Sequence, residues 1–249
     1  MTLATGRLMF LAAFALLVAP LSSAGGGHLE GFPRLVLWAW ERPEDLRFLA
    51  GRRAGVAFLA ATVRLSGGAT HVVRRRQPLL VDPATPLMAV VRVETARGAK
   101  AALTAEQREA VVSAALGAAR LPRVSAVQID SDAASSERAF YRSVLTDLRG
   151  RLGSRAGLSF TALASWCAGD RWLEGLPVDE AVPMLFQMGP DAAAIRARAA
   201  AGGLAPECRN ATGLATNEVF VRTSGRVYLF SAAEWTESRF EAALRRLAR

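Results

Sequence analysis

At 249 residues, 51% apolar and 21% charged, the chain has the composition of a folded globular protein and not of a disordered one; it is long enough for one full core and short for two. Its formal charge is +9, from 31 basic and 22 acidic residues, with Lys100 the one lysine. The arginines are scattered, Arg74-Arg75-Arg76 being their only run, and no aromatics are interleaved, so nucleic acid is not expected as a partner; composition bias explains the charge best, with a salt-sensitive hold on anionic envelope polymers as an alternative.

The chain opens with Arg7, an apolar run from Leu8 to Val18, and then Ser22 and Ala24 at the minus-three and minus-one positions of a cleavage site. This predicts a secretory signal peptide over residues 1–24, because the run is too short to span a bilayer; an uncleaved anchor is the alternative. The remainder, 25–249, reads as a single domain of an exported protein, periplasmic or extracellular and monomeric, with no later stretch apolar enough to cross a membrane. In such a compartment Cys167 and Cys208 pair more readily than they stay free, which predicts a disulfide. His28 and His71 lie far apart with no neighbouring ligand pattern, so neither a metal, nor another cofactor, nor a Ser-His-Asp triad is expected.

Arg34 to Trp40 is a short apolar run stopped by Glu41-Arg42-Pro43, the pattern of a strand buried on both faces, and a short helix through Asp45 to Ala50 is predicted after it. Val56 to Leu65 is a second such strand. Ser66 to Pro86 has no helical period; His71-Val72-Val73 and Pro78-Leu79-Leu80-Val81 predict an added hairpin. Leu87 to Glu94 is the third strand. Thr104-Ala105-Glu106-Gln107 has the form of a capping box opening a helix to about Arg120. The fourth strand, Ser125 to Asp132, carries Val127 and Ile129 on one face and Gln128, Asp130 and Asp132 on the other. An amphipathic helix from Ser135 to Leu152 comes next, then strands from Leu158 to Trp166 and from Ala181 to Gly189, and a short helix from Asp191 to Ala201. Thr212 to Glu218 and Arg226 to Ser231 are the last two strands, and Trp235 to Leu247 is a closing helix.

Eight strands, many apolar throughout and alternating with helices, predict an α/β fold: an irregular single (β/α)8 TIM-like barrel with the added hairpin after strand two. An open doubly wound sheet is the alternative, but no Gly-rich phosphate loop follows the first strand. In a barrel the chemistry sits at the carboxyl ends of the strands. There the chain places Trp40 and Glu41, Arg64, Arg92 and Glu94, Gln128 with Asp130 and Asp132, Trp166, Gln187, Asn217 and Glu218, and the eighth strand approaches Ser231 and Trp235. Carboxylates and amides suit sugar hydroxyls and an indole face suits a pyranose ring, so a polysaccharide or oligosaccharide is the expected partner; each tryptophan taken alone is better explained by core or rim packing. Glycosidic cleavage uses two carboxyl groups. Asp130 and Asp132, about 7 Å apart along a strand, are candidates, with Glu218 as the opposing group. The plainer reading makes one aspartate a helix cap and the other an arginine partner.

Gln128-Ile129-Asp130-Ser131-Asp132 together with Pro183-Met184-Leu185-Phe186-Gln187-Met188 is similar to the chitinase-type glycoside hydrolases, which carry alternating acidic residues on strand four and a Met-x-Tyr-Asp motif on strand six. The resemblance puts Asp132 where the glutamate acid stands, Asp130 where the assisting aspartate stands and Gln128 at an earlier aspartate. Met184 matches, while Phe186 replaces the tyrosine and Gln187 the aspartate. Over most of the chain, Leu37 to Leu46, Val127 to Asp132, Ala164 to Cys167 and Pro183 to Gly189 resemble the landmarks of a bacterial domain-of-unknown-function family, DUF3142. That resemblance implies a glycoside-hydrolase-like barrel and no particular activity. Hydrolysis of a bacterial polysaccharide is the first expectation, and a non-catalytic polysaccharide- or partner-binding barrel is the second.

Overall fold

The computed structural model describes residues 28–96 and 100–248; the expected signal segment and its cleavage point lie outside them. Eight strands form a closed parallel barrel: β1 Leu35–Ala39, β2 Ala54–Ser66, β3 Leu87–Thr95, β4 Val124–Ser131, β5 Gly157–Leu163, β6 Glu180–Met184, β7 Ala211–Ala215 and β8 Arg226–Phe230. Closure comes from β1, which pairs in parallel with both β2 and β8. Because each strand is covered on one face by the barrel interior and on the other by helices or loops, both faces select apolar residues. Val36, Ala57, Met88, Val90, Ala126 and Val182 fill the interior, while Leu37, Val56, Val91, Val127, Ile129 and Leu158 belong to the layer beneath the helices.

Helix α1, Ala105–Ala119, follows β3 and starts from the expected capping box, with Gln107 N donating to Thr104 Oγ1 at 3.3 Å and the Gln107 side chain answering at the Thr104 N–H. α2, Arg138–Leu152, follows β4; α3, Ala164–Gly169, follows β5; α4, Ala192–Ala200, follows β6; and α5, Glu237–Leu247, closes the chain. Among the described residues no α-helix follows β1, β2 or β7. The expected helix over 45–50 is only a 3-10 turn, Arg47–Leu49.

The added hairpin is present with different partners from those expected. Ala69–Arg74 folds back antiparallel on the outer half of β2, taking the edge that β1 leaves open beyond Ala39. Leu79–Leu80 pairs in parallel with Glu44–Asp45. Arg75, from the one arginine run, donates to the carbonyls of Trp40 and, at 2.6 Å, Arg42, so it pins the loop after β1. One register shift in β2, between Leu59 and Ala61, matters for function. The extra residue turns Thr62 and Arg64 into line with Arg92 and Glu94 of β3, on the interior side, and puts Val63 and Leu65 in the outer core.

The barrel is sealed at the amino-terminal ends of its strands. Leu29 and Phe32 pack into the interior there, and the Arg226 guanidinium donates to the carbonyls of Leu29 at 2.6 Å, Pro33 at 2.9 Å and Phe32 at 3.2 Å. It also pairs with buried Glu180, which accepts the Tyr228 hydroxyl. Cys167 in α3 and Cys208 in the turn before β7 form the expected disulfide, their Cα atoms 5.9 Å apart. No helix among the described residues is long and apolar enough to cross a membrane.

Candidate functional site

A cavity of about 620 Å³ opens at the carboxyl ends of the strands. Its floor is aromatic because β1 and β8 send alternate residues inward. Trp38 and Trp40, two apart on β1 and the loop after it, stack with centroids 4.7 Å apart; Phe230 of β8 lies 4.5 Å from Trp38, and Phe186 lies 4.6 Å from Phe230. Gly213 of β7 makes room for this floor, since a Cβ there would sit 3.3 Å from the Phe230 ring and 3.4 Å from that of Phe186. Buried Gln128 fixes the Trp38 ring from below, accepting the indole N–H at 2.9 Å and donating its amide to Ser159 Oγ at 3.0 Å.

The polar wall comes from β2, β3 and β4. Arg92 Nη1 donates to Asp130 Oδ2 at 2.9 Å, Nη2 reaches Asp132 Oδ2 at 3.5 Å, and Nε donates to Glu94 Oε1 at 2.9 Å; the guanidinium also lies 5.2 Å over the Trp40 ring. Glu94 bridges onward to Arg64 Nε at 3.0 Å. The two aspartates differ in environment although they share a strand face. Asp130 is 2% exposed and accepts the Thr161 hydroxyl at 2.7 Å, whereas the Asp132 side chain, just past the strand end, is 54% exposed. Burial pushes the Asp130 carboxyl above the usual carboxylate range, against the opposing pull of Arg92 and Thr161. Glu94 moves the other way: its partial burial is outweighed by Arg64 and Arg92, which lower it. Among the described residues no group of three or more His, Cys, Asp or Glu side chains is placed to hold a metal ion.

Of the sequence candidates, Trp40, Arg92, Asp130, Asp132 and Gln187 line the cavity. Gln187 does so from a left-handed backbone, φ 52°, and its N–H donates to Glu218 Oε1 at 2.9 Å. Gln128, Glu94 and Arg64 stand behind the lining as supports. Three candidates are elsewhere. Glu218 is not in the lining and does not oppose Asp132; it is held by Gln187 N and, at 2.6 Å, by Arg196 Nη2. Glu41 is exposed outside the cavity. Trp166 is buried, because the fifth strand stops at Leu163 and α3 begins at once, turning its indole onto Trp172 at 4.8 Å. Residues that the strand-end inventory missed are Trp38, Phe186, Phe230 and Asp191, while Asn217, which it held at the end of the seventh strand, lines the cavity. The i, i+2 spacing of Trp38 from Trp40 was the available signal for the first.

The whole barrel resembles solved chitinase structures in fold. A structure assigned as chitinase A from Streptomyces coelicolor superposes with a TM-score of 0.50 at 9% identity, covering 86% of this chain and 95% of that one. A family GH18 chitinase from Chromobacterium violaceum gives 0.52 at 11% identity, covering 92% and 89%. No curated protein matches the chain in sequence. Residues 83–185, which run from just before β3 to just past β6 and bear Arg92, Asp130 and Asp132, match the model of the domain of unknown function DUF3142, and the fold that carries them is a (β/α)8 barrel like those of the two chitinase structures.

Proposed function

We propose that this is an exported, glycan-active barrel that hydrolyses a glycosidic bond, with Asp132 as general acid. The observation that carries the reading is the cavity itself, an aromatic floor of Trp38, Trp40, Phe186 and Phe230 under a wall of carboxylates at the strand ends. Aromatic faces take the C–H face of a pyranose, and carboxylates take its hydroxyls. Asp132 is exposed enough to reach a glycosidic oxygen and donate a proton as the C–O bond to the leaving sugar breaks; water adds to the anomeric carbon, and the proton it loses restores the acid. Asp130, whose burial favours its neutral form, is the nearby proton-holding group, and Arg92 fixes the two carboxyls relative to each other. The fold likeness to a GH18 chitinase and the disulfide, which suits an oxidising compartment, both support the reading.

The test is reducing-end release by the purified protein on a panel of bacterial exopolysaccharides and cell-wall glycans, with Asp132→Asn alongside. Release by the wild type with a loss of about a hundredfold or more in the variant is expected. Equal release by both would remove Asp132 from the acid role. A second reading, a polysaccharide-binding barrel without turnover, is favoured by one observation: Arg92 already engages both aspartates, and Glu218 does not face them. It predicts a silent panel with glycan binding that Trp40→Ala weakens.

A further inference from the structure

The charge of the cavity is opposite to that of the molecule around it. The chain has thirty arginines and a net charge of +9, yet among the described residues only Arg92 of these lines the cavity, against the three carboxylates of Asp130, Asp132 and Asp191. Asp130 is spent on Arg92 and Thr161, but the other two are not used up by the protein. Asp132 gives only Oδ2 to Arg92, at the long distance of 3.5 Å, and is half exposed. Asp191 stands at the N-cap of α4, where an aspartate ordinarily accepts a backbone N–H, and its side chain makes no such bond. It is exposed and, among the described residues, has no ion-pair partner. Two under-used carboxylates thus reach the cavity from different walls, one after β4 and one from the turn after β6, beside a floor shaped for a sugar ring.

Resting on the glycan reading of this site, we propose that the cavity prefers an amino sugar carrying a free, protonated amine over its neutral or N-acylated counterpart. A neutral sugar would bring Asp191 no counter-charge and leave Asp132 with only its long contact to Arg92. A uronic acid would add repulsion. An ammonium donates a charge-assisted hydrogen bond to Asp191 while its ring lies on Trp38 and Trp40. The basic surface repels a cationic oligomer at long range, so any preference for one reports on the cavity and not on adsorption to the rest of the protein.

The experiment is isothermal titration of the purified protein with the β-1,4-linked hexamers of glucosamine, N-acetylglucosamine and glucose, at a mildly acidic pH where the amines are protonated. The glucosamine hexamer is expected to bind about tenfold tighter than either of the others, and Asp191→Asn to remove most of that advantage. The side chain of Asp191 is exposed and makes no cap, so the variant folds, which circular dichroism checks. Equal or tighter binding of the acetylated or glucose hexamer would overturn the amine preference and leave the glycan reading standing. A preference that survives in the Asp132→Asn/Asp191→Asn double variant would also overturn it. Binding of none of the three, with the broader glycan panel silent as well, would take down both.

Discussion

Arg92 joins more of the site than any other side chain. It holds Asp130, Asp132 and Glu94 and covers Trp40, so it is at once counter-ion, spacer and part of the wall. Removing it strands Asp130, almost fully buried, with only the Thr161 hydroxyl. Arg92→Met is therefore expected to cost about 3–5 kcal/mol at neutral pH in urea unfolding. The cost has a pH dependence of known sign. A carboxyl whose folded pKa lies above its unfolded value of 3.8 holds its proton more tightly in the folded chain; its contribution is fullest below 3.8 and is lost as pH rises through the folded value. Without Arg92 that folded value climbs further, so the deficit of the variant should shrink as pH falls from 7 toward 4; a deficit independent of pH would mean that Asp130 is not the group left unpaired. Most of this cluster could be read from the sequence, because Arg92, Asp130 and Asp132 are polar residues at the ends of apolar runs. Trp38 and Phe230 could not be found that way, since an aromatic inside an apolar run looks like core. Asp191 lies in a turn beyond the strand, where periodicity no longer says which way a side chain points.

At the level of elements, small departures from regularity decide which side chains reach the cavity. The one-residue bulge in β2 carries Arg64 to the interior side next to Glu94; a regular strand would have turned it outward. Sequence alternation passes through Val63-Arg64-Leu65 without any sign of the shift. Trp166 is the converse case: Leu158 to Trp166 reads as one apolar run, but α3 starts at Ala164, and a change from two-residue to helical period inside six residues leaves too short a record to detect. The Cys167–Cys208 bridge ties α3 to the start of β7 across β6 and α4, closing a loop of 41 residues that includes Asp191 and Gln187. Replacing both cysteines by serine is expected to cost about 2–4 kcal/mol in denaturant unfolding, by the entropy of the longer free chain. Unchanged stability would mean that packing around Leu204 and Leu173 already fixes that segment.

For the whole molecule, the barrel was legible because strands covered on both faces leave continuous apolar runs, and eight of these are hard to arrange otherwise in a chain of this length. The runs weaken after β2 and after β7, and among the described residues neither of these strands, nor β1, is followed by an α-helix. With closure through β1 and one layer of helices against it, the fold is expected to unfold as a single unit. Urea transitions followed by far-ultraviolet circular dichroism and by tryptophan fluorescence should coincide; a separate earlier transition in one probe would divide the chain into two units. The seal at the opposite end of the barrel has a consequence for traffic. With Leu29 and Phe32 packed below and Arg226 tying their carbonyls to Glu180, the cavity is blind-ended. A polymer cannot thread it. It must lie across the mouth and offer one unit downward, and whatever enters has to leave by the same door, so exchange at that single opening, and not passage through the barrel, sets how fast one ligand can follow another.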